Sequence, residues 1–259
     1  MKEYNGEKYI VSFTSFGQRF DDACKMIYAL QNQTYKDFHL VITIYEGDIK
    51  DITPNLQLLI DNNFLEVIIA PENLCPHLKY FYAMKKYWDK PIITLDDDRL
   101  YGCDTIKCLV EKYESLSYKS IVSNCAVKMT KTGNILNDRR RWCIPQRRLQ
   151  PNEKSFIAMA EGFAGVLYPP QCFKELDKEI PNIKNCLFDD DLYLKVMGIK
   201  NKIPVTQTSF QSGKTHIVNS IELQHAQQFD LAKHNNAPMQ YRADVTKRFN
   251  DQLVAGFAL

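Results

Sequence analysis

The sequence predicts an α/β fold with a mostly parallel central sheet flanked by helices. Four short apolar runs, at positions 9–13, 38–45, 65–70 and 92–95, have the length and the β-branched and aromatic composition of buried strands. Stretches with apolar residues at helical spacing separate these runs. Strands that alternate with helices in this way form parallel sheets joined by right-handed crossovers. No GxGxxG or Walker pattern follows any of the strands, so the familiar dinucleotide and phosphate-cradling loops are not indicated.

The elements of the first hundred residues follow one another without long gaps. The first strand leads into a helix whose apolar stripe consists of Phe20, Ala23, Cys24, Ile27 and Leu30. The second strand ends at Glu46, and a short helix is predicted over residues 54–61 because proline is favoured at a helix start. After the third strand, residues 77–88 predict a helix with an aromatic stripe. The fourth strand follows directly.

The pattern is less regular beyond residue 101. A helix at about 104–113 and one strand over 120–129 are predicted, followed by a turn at Gly133. In the segment AEGFAGVLYPP, Gly162 and Gly165 predict a backbone that passes close to another group. A second acidic triplet, at 189–191, then opens a helical pattern. The polar segment from residue 206 has weak periodicity and is not assigned.

The chain is organised around PIITLDDDRLY, residues 91–101, where the fourth strand runs into three aspartates. Ligands of open α/β sheets bind at this carboxyl end of the strands. Because side chains alternate along an extended chain, Asp96 and Asp98 are predicted to point one way and Asp97 the other. Two converging carboxylates repel unless a cation lies between them, and their hard oxygens suit Mg²⁺ or Mn²⁺. The alternative is a solvated acidic turn.

Composition is that of an ordinary globular protein. The 259 residues include 33 lysines and arginines against 31 acidic residues, a net charge of +2 that gives no reason to expect nucleic acid as a partner. The amino-terminal residues lack the apolar core of a signal peptide, and no apolar run is long enough to span a bilayer. The sequence therefore predicts a cytoplasmic protein, with peripheral contact to the inner face of a membrane left open.

Eight cysteines are scattered along the chain without a CxxC pair. This spacing argues against a zinc site and favours reduced, half-buried thiols. A basic stretch, residues 139–148, carries five arginines around Trp142. It is interpreted either as a solvated loop or as a site for an anionic ligand, since arginine binds phosphate with two parallel hydrogen bonds. Stacking on single-stranded nucleic acid is a third and weaker interpretation.

Five segments, in this order, resemble nucleotide-sugar-dependent glycosyltransferases of the GT-A fold, closest to the bacterial family 2-like enzymes. They are IVSFTSFGQRF, LQNQTYKDFHLVITI, LDDDRLY, GFAGVLYPP and FDDDLYL, and the resemblance extends over about residues 8–200. It implies a catalytic domain over residues 1–205, with a nucleotide-sugar half over about 1–101 and an acceptor half over about 102–205. Residues 206–259 are then a C-terminal extension on the acceptor side that packs on the same domain.

The resemblance also implies roles for individual residues. Asp96 and Asp98 correspond to the DxD motif, with Asp98 as the direct metal ligand and Asp96 near the ribose or the waters of the metal; Asp97 is secondary. On the donor side, the residues implied to hold the nucleotide or its diphosphate are Thr14, Ser15, Arg19, Glu46 or Asp48, and Lys79. The Glu46 match is poor, because the chain has IYEGD where the family has a VDDGS-like ending.

Asp190 corresponds to the catalytic base of the family, and Asp189 is its main competitor. Acidic residues are also favoured at helix starts as caps, so a purely structural role is the alternative for this triplet. His216 is the candidate for a further metal ligand, with His225 and His234 as rivals. A surface or packing role for His216 is the other interpretation.

The implied reaction is an inverting, metal-dependent transfer of one sugar from a nucleotide-sugar donor, with a UDP-sugar preferred, to a hydroxyl acceptor. The acceptor is a glycan or a lipid-linked glycan of surface glycan assembly, such as lipopolysaccharide, capsule or a glycoconjugate. The QxxRW signature of processive synthases does not follow the second triplet, which favours single transfer. The alternatives are a sugar-nucleotide nucleotidyltransferase and a non-catalytic glycan-binding module on the same fold. The oligomeric state is not predicted.

Overall fold

The structure, a computed structural model, describes residues 3–138, 141–142, 144–209 and 238–259, the last range with backbone alone for 238–240. Its centre is an eight-stranded sheet in the order β3-β2-β1-β4-β11-β5-β12-β9. These strands are β1 (Tyr9–Thr14), β2 (Phe38–Tyr45), β3 (Glu66–Ala70), β4 (Ile92–Thr94), β5 (Ile121–Ser123), β9 (Lys154–Ser155), β11 (Val166–Tyr168) and β12 (Val205–Gln207).

The sheet is mostly parallel, as the alternating pattern predicts. Strands β3, β2, β1 and β4 run in one direction, and β12 is parallel to β5. Strand β11 is antiparallel to both β4 and β5 and so lies between two parallel blocks, while β9 is antiparallel to β12 at the edge. The carboxyl end of β4 therefore lies beside the amino end of β11.

Helices cover both faces of this sheet. They are α1 (Phe20–Leu30), α2 (Pro54–Asp61), α3 (Leu78–Lys86), α4 (Thr105–Glu114), α5 (Ile180–Lys184), α6 (Asp190–Lys200), α7 (Pro238–Arg248) and α8 (Asn250–Val254). One core cluster joins α1, α2 and α4 to the sheet, and the other joins α3, α6 and the C-terminal helices. Within β1, Val11 and Phe13 belong to the first cluster and Ile10 to the second, which is the two-residue alternation of a strand buried on both faces.

The single strand predicted over residues 120–129 is wrong in one respect, because the chain breaks it in two. After β5, the strand β6 (Ala126–Lys128) leaves the central sheet and pairs with β10 (Ala158–Ala160). At the break, Ser123 Oγ donates to the Cys125 carbonyl at 2.6 Å, and Asn124 Nδ2 donates to the Ala164 carbonyl at 3.1 Å. These side-chain bonds compete with the sheet ladder and turn the backbone. A hairpin of β7 (Lys131–Thr132) and β8 (Ile135–Leu136) follows around Gly133.

The C-terminal helices pack on the same body as the sheet. Tyr241 on α7 accepts a hydrogen bond from the Phe188 backbone N–H at 3.0 Å, and Asn250 on α8 contacts Leu136 and Asn134 of the hairpin region. Strand β12 crosses the boundary predicted at residue 205, so the central sheet continues into the first residues of the predicted extension. The division of the preceding residues into donor and acceptor halves stays a prediction.

No helix in the described ranges has both the length and the apolar character needed to cross a bilayer.

The basic stretch, residues 139–148, is partly within the described ranges. Trp142 is fully buried in the core cluster of α3 and α6, whereas Arg141, Arg147 and Arg148 are exposed. Arg139 and Arg140 lie outside the described residues, and the three interpretations of this stretch stay predictions.

Candidate active site

The first acidic triplet lies where β4 ends and the chain turns away from the sheet. Tyr101, almost fully buried, accepts a hydrogen bond from the Asp96 backbone N–H at 2.8 Å and donates to the Phe163 carbonyl at 3.2 Å. Its hydroxyl thus ties the triplet to the short helical turn Gly162–Ala164 that precedes β11. No pattern in the sequence singles out Tyr101. A tyrosine five residues after a strand-end carboxylate gives no signal without the fold.

Arg19, from the turn after β1, faces this triplet. Its guanidinium donates to both carboxylate oxygens of Asp97 and lies 3.0 Å from Asp98 Oδ2. Asp97 and Asp98 therefore share one cation, and Asp96 has another; the binding of one metal ion by Asp96 and Asp98 together stays a prediction. Strand β4 ends at Thr94, so the alternation of an extended strand does not decide which cation each of these three side chains contacts.

The electrostatics of the triplet reflect three carboxylates held close together. Burial, and after it repulsion from Asp96 and Asp97, raises the pKa of Asp98 to about 6. Burial also raises the pKa of Asp97, although Arg19 and Ser15 draw it back towards its ordinary value. Burial and the two neighbouring carboxylates thus favour the protonated form of Asp98, and Arg19 and Arg99 only partly oppose this effect.

Lys79 lies on the other side of the triplet, in the first turn of α3. Its Nζ is 2.8 Å from Asp96 Oδ1 and 2.8 Å from Asp190 Oδ2, so one ammonium joins the two acidic triplets of the sequence. Burial by itself would lower the pKa of Lys79, yet Asp190, Asp96 and Asp191 together raise it well above its ordinary value. Lys79 is therefore charged.

The three aspartates of the second triplet have three different surroundings. Asp189 is the N-cap of α6, and its side chain accepts a hydrogen bond from the Leu192 backbone N–H. Asp190 faces Lys79. Asp191 Oδ1 accepts from the Gly162 backbone N–H at 3.0 Å. Of the two candidates for the base, Asp190 is thus the one that the structure brings to the first triplet.

The glycine segment approaches these side chains closely, as its composition predicts. A Cβ atom on Gly162 would lie 2.6 Å from Asp191 Oδ1 and 3.1 Å from Lys79 Nζ, so only glycine fits without a shift. Gly165 has a φ of +89°. Between them, Phe163 presents its ring to the Arg99 guanidinium, whose centre lies 5.1 Å from the ring centroid. Arg99 in turn lies 3.6 Å from Asp98.

A buried histidine supports the loop before α6. His77 Nε2 donates to the Cys186 carbonyl at 3.0 Å, and His77 Nδ1 accepts from the Tyr80 hydroxyl at 2.7 Å. Burial lowers the pKa of His77, which therefore stays neutral and makes both bonds at once. Cys186 Sγ donates to the Asp189 carbonyl at 3.0 Å. The sequence pattern does not single out His77 either, because the pattern indicates only that a helix begins at this residue.

The other predicted donor residues are spread along the same edge of the sheet. Thr14, half-buried, donates to the Thr43 carbonyl at 2.7 Å, and Ser15 is buried. Glu46 is exposed on the helical turn Glu46–Asp51, which lies against the turn Gly17–Arg19. Within the described ranges, no hydrogen bond or ion pair joins Glu46 to the first triplet. Their roles in nucleotide binding stay predictions.

The residues present fit a divalent cation held by few protein ligands. Within the described ranges, no group of three or more acidic, histidine or cysteine side chains surrounds a single point. Mg²⁺, however, is commonly held by one or two carboxylates together with substrate phosphates and water. Asp96 and Asp98 are the partly exposed members of the triplet and supply hard oxygens of this kind. His216, His225 and His234 lie outside the described residues.

Comparison with known proteins places the fold. No protein-family model matches the sequence, and no curated protein does so either. Among solved structures, a mannosyltransferase from Pyrobaculum calidifontis in complex with GDP-Man and Mn²⁺ superposes with a TM-score of 0.51 at 10% identity, over 95% of this chain and 69% of that one.

Residues 1–349 of S. aureus TarS match in two complexes. With UDP the TM-score is 0.54 at 13% identity, over 97% of this chain and 70% of that one. With UDP-GlcNAc the TM-score is 0.51 at 15% identity, over 97% of this chain and 71% of that one. The chain therefore shares the GT-A fold with these structures, and the predicted fold class is confirmed. At these identities the likeness concerns the fold.

Proposed function

We propose that this protein is a glycosyltransferase that moves one sugar from a nucleotide-sugar donor to a hydroxyl acceptor, with inversion at the anomeric carbon. The observation that carries the proposal is the position of Lys79 between Asp96 and Asp190, with both Nζ–O distances at 2.8 Å. This ion pair brings the residues proposed for the donor and for the base to one end of the sheet. Transfer needs both groups on one reacting centre.

On the donor side, Asp98 and Asp96 would hold Mn²⁺ or Mg²⁺. When bound, the cation neutralises the diphosphate that leaves with the nucleotide. Arg19 orients Asp97 and Asp98 through its two ion pairs, while Thr14, Ser15 and Glu46 are proposed to contact the nucleotide. The structural neighbours bind GDP-Man, UDP and UDP-GlcNAc. A UDP-sugar is our proposed donor.

On the acceptor side, Asp190 is the proposed general base. It would remove the proton of the acceptor hydroxyl as that oxygen forms its bond to the anomeric carbon. Attack on the face opposite the leaving diphosphate inverts the configuration. Lys79 Nζ, 2.8 Å from Asp190 Oδ2, holds this carboxylate in position beside the first triplet. Asp189, held as a helix cap, is assigned to structure.

The acceptor is proposed to be a glycan or a lipid-linked glycan in surface glycan assembly, with peripheral membrane contact. His216 keeps its proposed role as a further metal ligand. The division into a donor half over residues 1–101 and an acceptor half over 102–205 is part of the same proposal.

Two substitutions separate donor binding from proton transfer. Asp98→Asn is expected to abolish Mn²⁺-dependent donor binding and turnover, because a neutral amide is a poor ligand for a hard cation. Asp190→Asn is expected to leave donor binding intact and to lower turnover about 10²- to 10⁴-fold, the usual contribution of a general base. Calorimetry with UDP-sugars and Mn²⁺, together with release of UDP in the presence of acceptor, measures both quantities.

Asp177→Asn is the matched control. Asp177 is also ion-paired to a lysine of α3, Lys85, but at the exposed surface. This variant is expected to behave as the wild type in both assays. Full nucleotide-sugar turnover by Asp98→Asn would contradict the proposed function. Failure of the wild type to bind any nucleotide sugar with Mn²⁺ would favour the non-catalytic module.

A further inference from the structure

The surroundings of Lys79 are those of an enclosed cation rather than of a surface lysine. Its side chain is 6% exposed and is shared between Asp96 Oδ1 and Asp190 Oδ2. The backbone of Gly162 closes a further side, because a Cβ atom there would lie 3.1 Å from Nζ. Lys79 therefore cannot swing into solvent without moving one of these neighbours.

One of the two carboxylates that hold Lys79 is also a proposed ligand of the divalent cation. Asp96 is 27% exposed, so an ion from solvent reaches it, whereas Lys79 contacts it from the protein side. Two cations that share one carboxylate repel each other strongly where solvent screening is weak. In the free protein, Lys79 and a divalent ion thus compete for Asp96.

A nucleoside diphosphate changes this balance because it adds negative charge at the same place. The ammonium of lysine has three donors on a flexible stem and binds phosphate oxygens as a compact charge. When diphosphate is present, its oxygens accept hydrogen bonds from Lys79 in place of the Asp96 oxygen. The Asp96 carboxylate can then bind the divalent ion. The repulsion between the two cations is then offset by the anion between them.

We propose that Lys79 is a positioning residue that opposes binding of the divalent ion alone and favours binding of the ion together with the donor diphosphate. The inference rests on the proposed function, since it takes Asp96 as part of the metal site. Its consequence is a thermodynamic coupling: the ion and the nucleotide each bind better when the other is present, and Lys79 contributes to that coupling. The protein then binds a divalent ion more weakly without its donor than with it.

Lys79→Met tests this coupling without an activity assay. Calorimetry measures the affinity for Mn²⁺ alone and for UDP at saturating Mn²⁺. We expect Mn²⁺ alone to bind about three- to tenfold more tightly and UDP to bind about tenfold more weakly, because the variant removes both a competitor and a phosphate contact. A merely structural role would weaken both affinities.

Lys85→Met is the matched control, since Lys85 lies on the same helix and pairs with Asp177 at 2.5 Å near the surface. It is expected to leave both affinities unchanged. If Lys79→Met does not fold, Lys79→Gln replaces it, and the Lys79 ammonium is also followed by NMR in the wild type. Its resonance is expected to change when Mg²⁺ and UDP are added together.

The outcomes separate this inference from the proposed function. If the wild type binds Mn²⁺ and UDP but Lys79→Met binds Mn²⁺ alone no more tightly, the role of Lys79 is overturned and the proposed function stands. An ammonium resonance that is unchanged by Mg²⁺ with UDP has the same meaning. If the wild type binds neither Mn²⁺ nor UDP, the proposed function and this inference are both overturned.

Discussion

Glu66 is a buried carboxylate at the end of the sheet opposite the candidate site. Tyr87 donates to Glu66 Oε2 at 2.5 Å, Lys86 donates to Oε1 at 2.7 Å, and His39 Nε2 lies 2.8 Å from Oε2. Burial alone would raise the pKa of Glu66, yet these three contacts outweigh it and lower the pKa from 4.5 to about 2. The ionised carboxylate therefore stabilises the fold.

Glu66→Gln tests this contribution. Because the folded pKa is the lower one, the stabilisation is present above the ordinary pKa and is lost as the pH falls from 4.5 towards about 2. The variant is expected to lower the free energy of unfolding by about 1.5–3 kcal/mol at neutral pH, the usual contribution of a hydrogen bond to a charged group. Urea unfolding over a series of pH values measures the difference, which is expected to shrink in acid.

The control for this prediction is Glu111→Gln, since Glu111 is largely exposed and lies 3.8 Å from Lys107 on the same helix. Exposed pairs contribute little, so this variant is expected to unfold like the wild type. If the free energies of unfolding of Glu66→Gln and the wild type differ by the same amount at neutral and at acid pH, the charge of Glu66 does not stabilise the fold.

At the residue scale, the sequence predicts which residue types assemble but not how they pair. Asp96, Asp98, Lys79 and Asp190 were all expected near one site, and the structure brings them to one end of the sheet. Which carboxylate pairs with which cation depends on backbone turns after Thr94 that no periodicity encodes. Tyr101 was missed for the same reason: its role arises from contacts with two distant backbone groups.

The start of α6 is an element whose cap and candidate base are adjacent residues. Asp189 caps the helix through the Leu192 N–H, and Asp190 points to Lys79. Asn is as good an N-cap as Asp but cannot accept the proton of an acceptor hydroxyl. A substitution by Asn can therefore separate the role of a carboxylate as helix cap from its role as general base.

Asp189→Asn is expected to keep both stability and turnover, because the cap is retained. Asp189→Ala is expected to lower the free energy of unfolding by about 0.5–2 kcal/mol through loss of the cap. Thermal unfolding and UDP release measure the two effects. Loss of turnover in Asp189→Asn to the level of Asp190→Asn would reassign the base to Asp189.

Elements of the first hundred residues were predicted well because each strand and helix carries its own period. The strand predicted over 120–129 was not, since Ser123 and Asn124 divert the backbone through tertiary hydrogen bonds. The polar C-terminal segment gave no usable period, yet part of it forms α7 and α8. There, packing on the rest of the molecule outweighs weak local preference.

The whole molecule is expected to respond to its donor as one cooperative unit, because the C-terminal helices, the loop before α6 and the sheet are joined by hydrogen bonds. A ligand that binds only the folded state stabilises it by about 2.7 kcal/mol at a hundred times its Kd. We expect that, in a panel of UDP- and GDP-sugars, the UDP-sugars raise the melting temperature of the protein when Mn²⁺ is present and do not raise it when a chelator is present.

Asp98→Asn serves as the control in this screen and is expected to show no metal-dependent shift. A rise in the melting temperature that is the same with Mn²⁺ and with chelator would count against a metal-dependent donor site. If only GDP-sugars raise the melting temperature, the proposed donor class is contradicted, whereas the proposed reaction class is not.

The antiparallel strand β11 also affects when the site can form during synthesis. It inserts beside β4 only after some seventy further residues have been made, and His77 finds the Cys186 carbonyl 109 positions later in the chain. Contacts this distant in sequence form late, because loop closure must come first. A nascent chain that has just completed PIITLDDDRLY therefore exposes three aspartates with Lys79 but without Asp190. The two acidic triplets meet only when most of the protein has been made, which ties assembly of the candidate site to completion of the fold.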